Sequence, residues 1–483
     1  LDAAADRAAA MLAGMGVGPG DVVSFQLPNW LEAAIVFHAT ARVGAISNPI
    51  VPIYRRREVG FILEQARSRV LVVPATFRGF DYPAMVAELR PELPELAHVL
   101  VVGEGGSFAG ALAAVPDGAR APEHERRGSD PVLLLYTSGT ESRPKGVLHT
   151  HDTLVYECAS IARLYAVTGE DVVFMPSPVT HITGLLYGLQ LPFALGAPVV
   201  LLDAWSAPAA LELIERERCS FTVGATPFLH GIVNAPELAE RDIASMRVFV
   251  CGGADIPPAL ITATAERTPM LATRVYGSTE CPTATGTAPG APLALHAQTD
   301  GAPIGPTEIR VADDEGAVLA PPAVGNLEVR GPDLCVGYRD PALDAAAFTE
   351  DGWFRTGDLA EIDAGGRLRI AGRVKDIIVR GGENLSAKEI ENLLFEHPDV
   401  HEVAVVAYPD DVLGERACAY VVGEADLTLA SAVAFLRTRG VANQKLPERL
   451  RLVDELPKTA SGKVQKFVLR DALARETGTG GAA

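Results

Sequence analysis

The chain has 483 residues, of which 48% are hydrophobic and 21% charged, so it carries enough apolar material for sizeable cores and is not a disordered polymer. With 42 basic residues against 61 acidic ones, the formal net charge is −19, which argues against nonspecific binding to nucleic acid or to an anionic membrane surface. Cys158, Cys219, Cys251, Cys281, Cys335 and Cys418 show no short-spaced zinc or redox pattern, no apolar run has transmembrane length, and a reduced, cytoplasmic protein without integral membrane association is expected.

The chain opens at Leu1-Asp2-Ala3, which reads as the inside of an amphipathic helix, and is expected to be N-terminally incomplete. Residues 22–26 read as a strand and 30–43 as a helix. Short β-branched runs follow at 70–73 and 99–102, and 131–135 reads as a buried strand. Strand-like and helix-like stretches then alternate: 198–203 with 207–218, 221–225 with 228–233, 246–251 with 257–267. Such alternation predicts mostly parallel sheet with helices on both faces.

From about residue 305 the texture changes. Asp313-Asp314-Glu315-Gly316 and Asp363-Ala364-Gly365-Gly366 read as hairpin turns in a β-rich portion. After Arg373 a smaller α+β unit is expected. In it Ser386-Ala387-Lys388-Glu389 predicts a capping box opening a helix to about 395, followed by a strand at 403–408 and a helix at 431–439. The Gly- and Ala-rich tail from 476 is expected to be disordered.

Tyr136-Thr137-Ser138-Gly139-Thr140-Glu141-Ser142-Arg143-Pro144-Lys145-Gly146 carries the most chemistry. A strand running into hydroxyl and glycine residues sets backbone N–H and side-chain O–H groups around a concave space suited to phosphate oxygens. Lys145 adds a charge for a terminal phosphate. The spacing is not that of a P-loop, because Gly146 follows the lysine where Ser or Thr would be needed.

Four further segments follow in order: Tyr276-Gly277-Ser278-Thr279-Glu280, Thr356-Gly357-Asp358, Gly372-Arg373-Val374-Lys375-Asp376 and Pro457-Lys458-Thr459-Ala460-Ser461-Gly462-Lys463. Together with the first loop they resemble the superfamily of adenylate-forming enzymes, which holds acyl-CoA synthetases, the adenylation domains of peptide synthetases, and firefly luciferase. The resemblance covers nearly the whole chain. It implies an α/β fold: a large ATP- and acyl-binding domain over 1–374, with mostly parallel sheets flanked by helices plus a β-rich subdomain, and a small mobile α+β C-terminal domain over 375–483, hinged near Lys375.

The resemblance also implies roles. Thr137, Ser138, Gly139, Thr140 and Lys145 would hold the ATP phosphates. The family has Thr-Gly where this chain has Glu141-Ser142, and Glu141 is expected to face solvent. Tyr276 would offer a flat face to the purine, Gly277 beside it would belong to the same nucleotide site, and Gly252, Gly253 and Ala254 would border the adenine. Thr279 would donate to the α-phosphate, and Glu280 would hold Mg²⁺. Asp358 would accept from the ribose hydroxyls, and Arg373 would reach ribose or phosphate. Lys375 stands where many relatives have aspartate. Lys463 would bridge the carboxylate and the α-phosphate while the adenylate forms. His181, in Pro178-Val179-Thr180-His181, would wall the acyl pocket rather than act as a base. Gly381 and Gly382 would line the path of the pantetheine arm.

The implied activity is that of an ATP-dependent acyl-CoA synthetase using ATP, Mg²⁺ and CoA. The nearest resemblance is to bacterial acyl-CoA ligases of the cyclohexanecarboxylate-CoA ligase type. The acyl pocket reads as apolar or small, with no unpaired charge beyond His181, so a compact apolar acid is expected: alicyclic, aromatic or medium-chain. Two alternatives stay open, an aryl-acid adenylating enzyme that loads a carrier protein and a non-catalytic nucleotide-binding relative. A homodimer is left open as well.

Overall fold

The computed structural model describes residues 1–137, 144–253, 256–381, 383–410, 412–459 and 462–476. Ser138, Gly139, Thr140 and Glu141 of the phosphate loop, Ala254, Gly382, and the tail from 477 lie outside them.

The alternation read from the sequence resolves into two separate sheets. The first runs Gly337–Tyr338, Lys145–Thr150, Pro131–Thr137, Ile46–Pro49, Val22–Phe25, Ser68–Pro74, His98–Val102. Its last five strands pair in parallel, and the first two join antiparallel. The second runs Val199–Leu201, Val173–Met175, Phe221–Gly224, Val248–Cys251, Leu271–Tyr276, Thr285–Gly286, Ala302–Pro303, parallel through Leu271–Tyr276.

Strand alternation explains the layering. In Pro131–Thr137, Leu133 and Leu135 face one core while Leu134 and Tyr136 face another. The first core also takes Val173, Met175, Val223 and Val250 from the second sheet, so helices Leu31–Arg42 and His151–Tyr165 lie between the sheets. A third core, around Phe174, Phe249 and Ala272, covers the outer face of the second sheet with helices Ala207–Glu217, Thr226–Val233 and Pro258–Arg267.

The β-rich portion is a five-stranded antiparallel sheet, Val318–Leu319, Glu308–Ala312, Ala323–Arg330, Phe354–Ile362, Leu368–Arg373. Its hairpins turn at the two acidic Gly-containing segments, where Asp313 and Asp363 cap backbone N–H groups. Arg274 and Asp300, both nearly fully buried, form an ion pair of 2.7 Å, and Asp300 also accepts from the backbone N–H of Ile370, tying this sheet to the second one.

The C-terminal unit is a sheet of Glu383–Ser386, Ile377–Arg380, Gly414–Gly423, Val400–Asp410, with Arg449–Leu452 beside Gly414–Gly423. Val405, Ala419 and Val421 face helices Ala387–Leu394 and Leu429–Thr438, and Val406, Cys418 and Tyr420 face Lys466–Glu476. The expected capping box is half made. Ser386 Oγ accepts from the N–H of Glu389, but the Glu389 carboxylate turns to Lys445 Nζ at 2.8 Å, a cation offering a stronger bond than the backbone.

Candidate active site

A cleft of about 1710 Å³ lies where the two parallel-rich sheets, the β-rich sheet and the C-terminal unit meet. Thr137, Lys145, His181, Gly252, Gly253, Tyr276, Gly277, Thr279, Glu280, Asp358, Arg373, Lys375 and Lys463 all line it. Gly381 does not. It is exposed at a turn of the C-terminal sheet, its N–H bonded to Leu413 O at 2.7 Å.

Lys145 opens the return strand Lys145–Thr150 instead of sitting in the loop, because Thr137 pairs directly opposite it. Its Nζ lies 5.8 Å from the ring centre of Tyr338. The Tyr338 hydroxyl donates to Glu280 Oε1 at 2.8 Å. One carboxylate oxygen of Glu280 is thereby held, and the other is left for a further partner. Among the described residues no group of three or more His, Cys, Asp or Glu side chains is arranged around a metal position. A single cleft-lining carboxylate fits Mg²⁺ that comes with substrate phosphates, the usual habit of that ion.

Gly277 shapes the turn after Leu271–Tyr276. A Cβ there would stand 1.8 Å from Pro282 O, so only glycine lets Ser278 N–H reach Cys281 O at 2.8 Å. This fold-back presents Thr279 and Glu280 to the cleft. His149, fully buried, fastens it from behind: Nε2–H donates to Thr279 O at 2.7 Å, and Nδ1 lies 3.0 Å from Thr153 Oγ1. Burial pushes the His149 imidazole down to about 4, so it is neutral at pH 7.

Tyr276 is buried and lines the cleft, and its hydroxyl donates to Asp358 Oδ2 at 2.6 Å. Burial and the adjacent carboxylate hold that phenol well above its ordinary range. Arg373 Nε lies 3.0 Å from Asp358 Oδ1. Each oxygen keeps a lone-pair position for another donor.

His181 caps the short helix Ile182–Leu185, its Nδ1 facing Thr183 N–H at 3.5 Å. Burial, reinforced by the positive charge of Lys463, pushes it down to about 4. Residues from far apart in the chain thus meet in one cleft. Lys463 is held by a tight turn: its carbonyl accepts from Thr459 N–H at 2.8 Å and its N–H donates to Thr459 Oγ1 at 3.1 Å. Lys375 sits in the short turn Val374–Asp376, the single connection from the β-rich sheet into the C-terminal sheet, and Asp376 is paired with Arg470 at 2.8 Å.

The expected apolar lining is only part of what the cleft presents: Ile182, Val223, Pro227 and Ile256 line it together with hydroxyl-bearing residues. Thr180, Thr183, Tyr187, Thr226 and Thr283 all line the cleft that also takes His181. Behind them stands the fully buried Glu157, whose Oε1 accepts from the Tyr187 hydroxyl. On helix His151–Tyr165 a carboxylate reads as solvated, and only the fold turns this one inward. The sequence reading also missed Tyr338 and the role of His149. Tyr338 reaches the site by pairing with Val147 across the first sheet, a link that no local motif signals.

Residues 1–339 match the family model described as AMP-binding enzyme, and residues 389–463 match that of the AMP-binding enzyme C-terminal domain. The chain belongs to the AMP-binding enzyme family. As a member of it, the chain is an AMP-forming ligase. It is 38% identical to the medium-chain fatty-acid–CoA ligase of Escherichia coli (strain K12) over 98% of this chain and 85% of that one. It is 35% identical to the salicyl-AMP ligase / salicyl-S-ArCP synthetase of Mycobacterium tuberculosis, over 99% and 85%. ATP-bound MatB from Rhodopseudomonas palustris superposes on this AMP-binding enzyme with a TM-score of 0.89, at 29% identity, over 97% of this chain and 92% of that one. The apo form of the same protein gives 0.76, at 28% identity over 98% and 93%. The chain therefore superposes more fully on the ATP-bound form than on the apo form. No helix among the described residues is long and apolar enough to cross a membrane.

Proposed function

We propose that this AMP-binding enzyme is an acyl-CoA synthetase that activates a compact carboxylic acid as its adenylate and passes the acyl group to CoA. The observation that carries the reading is the meeting of Lys463 with His181 in the cleft that also holds Glu280 and Asp358.

In this reading the substrate carboxylate attacks the α-phosphorus of ATP, and pyrophosphate leaves. Lys463 supplies a cation where negative charge builds between the carboxylate and the α-phosphate. Thr279 donates to the α-phosphate, its loop held by His149. Asp358, steered by Tyr276 and Arg373, accepts from the ribose. Lys145, with Thr137 and the loop between them, meets the outer phosphates. Glu280, oriented by Tyr338, would hold Mg²⁺, which neutralises phosphate charge when bound. Neutral His181 walls the acyl pocket, since a carboxylate needs no base.

Thioester formation then requires a second arrangement. Gly381 stands outside the cleft, and a rotation of residues 375–483 about Lys375 would bring it and Gly382 to the thiol path. Six free cysteines in the described structure support a reducing, cytoplasmic setting. A second reading, transfer of an aryl acid to a carrier protein, draws on the similarity to the salicyl-AMP ligase.

The test is a panel of carboxylates scored for AMP release, with free CoA against a phosphopantetheinylated carrier. AMP release driven by CoA supports the proposal, and release driven by the carrier alone favours the second reading. No pyrophosphate exchange with any acid would sink both.

A further inference from the structure

Glu157 lies midway along helix His151–Tyr165 with none of its surface exposed. An isolated carboxylate in such a place is expensive, and it is kept only where partners or protonation offset the cost. The Tyr187 hydroxyl donates to its Oε1. Tyr187 Oη is also 2.6 Å from Thr283 Oγ1. Oε2 has no hydrogen-bond partner. Asp333 adds a second buried acid close by, with Cys281 Sγ on its Oδ2 at 3.2 Å and Thr307 Oγ1 3.4 Å from its Oδ1. Burial and this neighbouring carboxylate hold Glu157 well above the usual range.

Two members of the chain reach the cleft. Tyr187 and Thr283 line it, and Glu157 stands behind them. Tyr187 follows His181 by six residues, past the short helix Ile182–Leu185 and inside the wider π-helical turn Leu186–Gln190. Thr283 follows Thr279 by four residues, on the far side of the Gly277 turn. Thr180, whose buried hydroxyl also has no hydrogen-bond partner, lines the same wall. An apolar pocket has no use for a buried acid supporting two hydroxyls. A hydrocarbon pressed against this wall would leave polar groups short of partners.

We propose that Thr283 and Tyr187, positioned by Glu157, form a polar subsite in the acyl pocket that selects a carboxylic acid carrying a hydroxyl group several bonds from its carboxylate. This rests on the ligase reading above and names its substrate class. A hydroxyl both donates and accepts, so it completes the chain whichever way the Tyr187 and Thr283 protons point. Thr283 makes the contact, Tyr187 flanks it, and Glu157 positions both from behind, accepting from the Tyr187 hydroxyl and interacting with Thr283.

The experiment compares matched acids on the full chain: benzoate with its three hydroxybenzoates, cyclohexanecarboxylate with its 3- and 4-hydroxy forms, and octanoate with 5- to 8-hydroxyoctanoate. The readout is kcat/KM for acid-dependent pyrophosphate exchange. At least one hydroxy acid should exceed its parent by about tenfold or more, because a site built for a hydroxyl discriminates against the analogue lacking it. Thr283→Val should collapse that ratio towards one, and Thr283→Ser should restore it. Glu157→Gln should keep most of the ratio, whereas Glu157→Leu should lose it. Binding of a non-hydrolysable ATP analogue verifies that each variant is folded. Ratios near one for every pair in the wild type, or a ratio unchanged in Thr283→Val, overturn the subsite while the ligase reading stands. Absence of exchange with all acids, parent and hydroxylated alike, overturns the ligase reading and the subsite together.

Discussion

Gly462 of the C-terminal unit lies against Pro227 of the large one, so close that a Cβ on Gly462 would stand 2.8 Å from Pro227 Cγ. The glycine also holds φ at +83°, in the left-handed region. Both constraints fall on the residue just before Lys463. Gly462→Ala should therefore keep the lysine from seating in the cleft. We expect adenylate formation to fall by about 10²-fold, the cost of a misplacement near 1 Å. Thioester formation from supplied acyl-AMP should change little. Equal losses in the two half-reactions would contradict this placement.

Lys463→Ala tests the charge itself. Removal of one preorganised group at a developing charge costs about 10²–10³ in rate. The loss should appear in acid-dependent pyrophosphate exchange and not in thioester formation from acyl-AMP. Lys463→Arg should rescue poorly, because a planar guanidinium does not fit the space of an ammonium.

Lys375→Pro probes the connection between the units. Proline fixes φ and removes a backbone donor within the turn Val374–Asp376. If rotation about this turn separates the half-reactions, one of them should slow selectively while the other persists. Normal rates for both would place the hinge elsewhere.

Stability should fall as the pH drops from 7 to 5. The His38 and His149 imidazoles are each pushed down to about 4 by burial, against about 6.5 when unfolded. The unfolded chain therefore binds more protons between these values, and the stabilisation present above pH 6.5 is lost as the pH falls towards 4. By pH 5 each residue should cost on the order of 1–2 kcal/mol. Urea unfolding at pH 7.5, 6.0 and 5.0 checks the sign, and His38→Gln should flatten part of the slope.

The buried Arg274–Asp300 pair should matter through what its loss leaves behind. Arg274 also donates to Ala297 O at 3.0 Å, so Arg274→Met strands a buried carboxylate and a carbonyl. A loss of about 3–5 kcal/mol in chemical unfolding is expected. A change below about 1 kcal/mol would mean that water reaches the pair.

Tyr276, Glu280, Asp358 and Lys463 were legible because each sits in a short segment whose chemistry is local: a turn glycine, a hydroxyl, a charge. The strand-helix alternation was legible for the same reason. How the strands divide between two sheets was not, since helices Leu31–Arg42 and His151–Tyr165 serve both sheets from one shared core. Lys145 was read as a loop residue because the pairing of Thr137 with it depends on register. Glu157 was missed because its partners lie on a different helix and on the turn after Glu280. The expectation for Gly381 presupposes an arrangement of the two units other than the one seen here.

The short pairing of Gly337–Tyr338 with Val147 and Leu148 has a consequence for how the enzyme can be cut. Lys145 comes from the first sheet, Glu280 from the turn that ends the parallel part of the second, and Tyr338 from a chain segment that passes through the β-rich sheet before returning. A fragment ending before residue 337 would keep both parallel cores yet lose the phenol that stands between Lys145 and Glu280. Nucleotide affinity should thus switch on late in synthesis, only after the first three strands of the β-rich sheet have emerged and the Gly-Tyr dipeptide that follows them has paired with the first sheet. Binding of ATP by a series of C-terminal truncations would show that step as a threshold rather than a gradient.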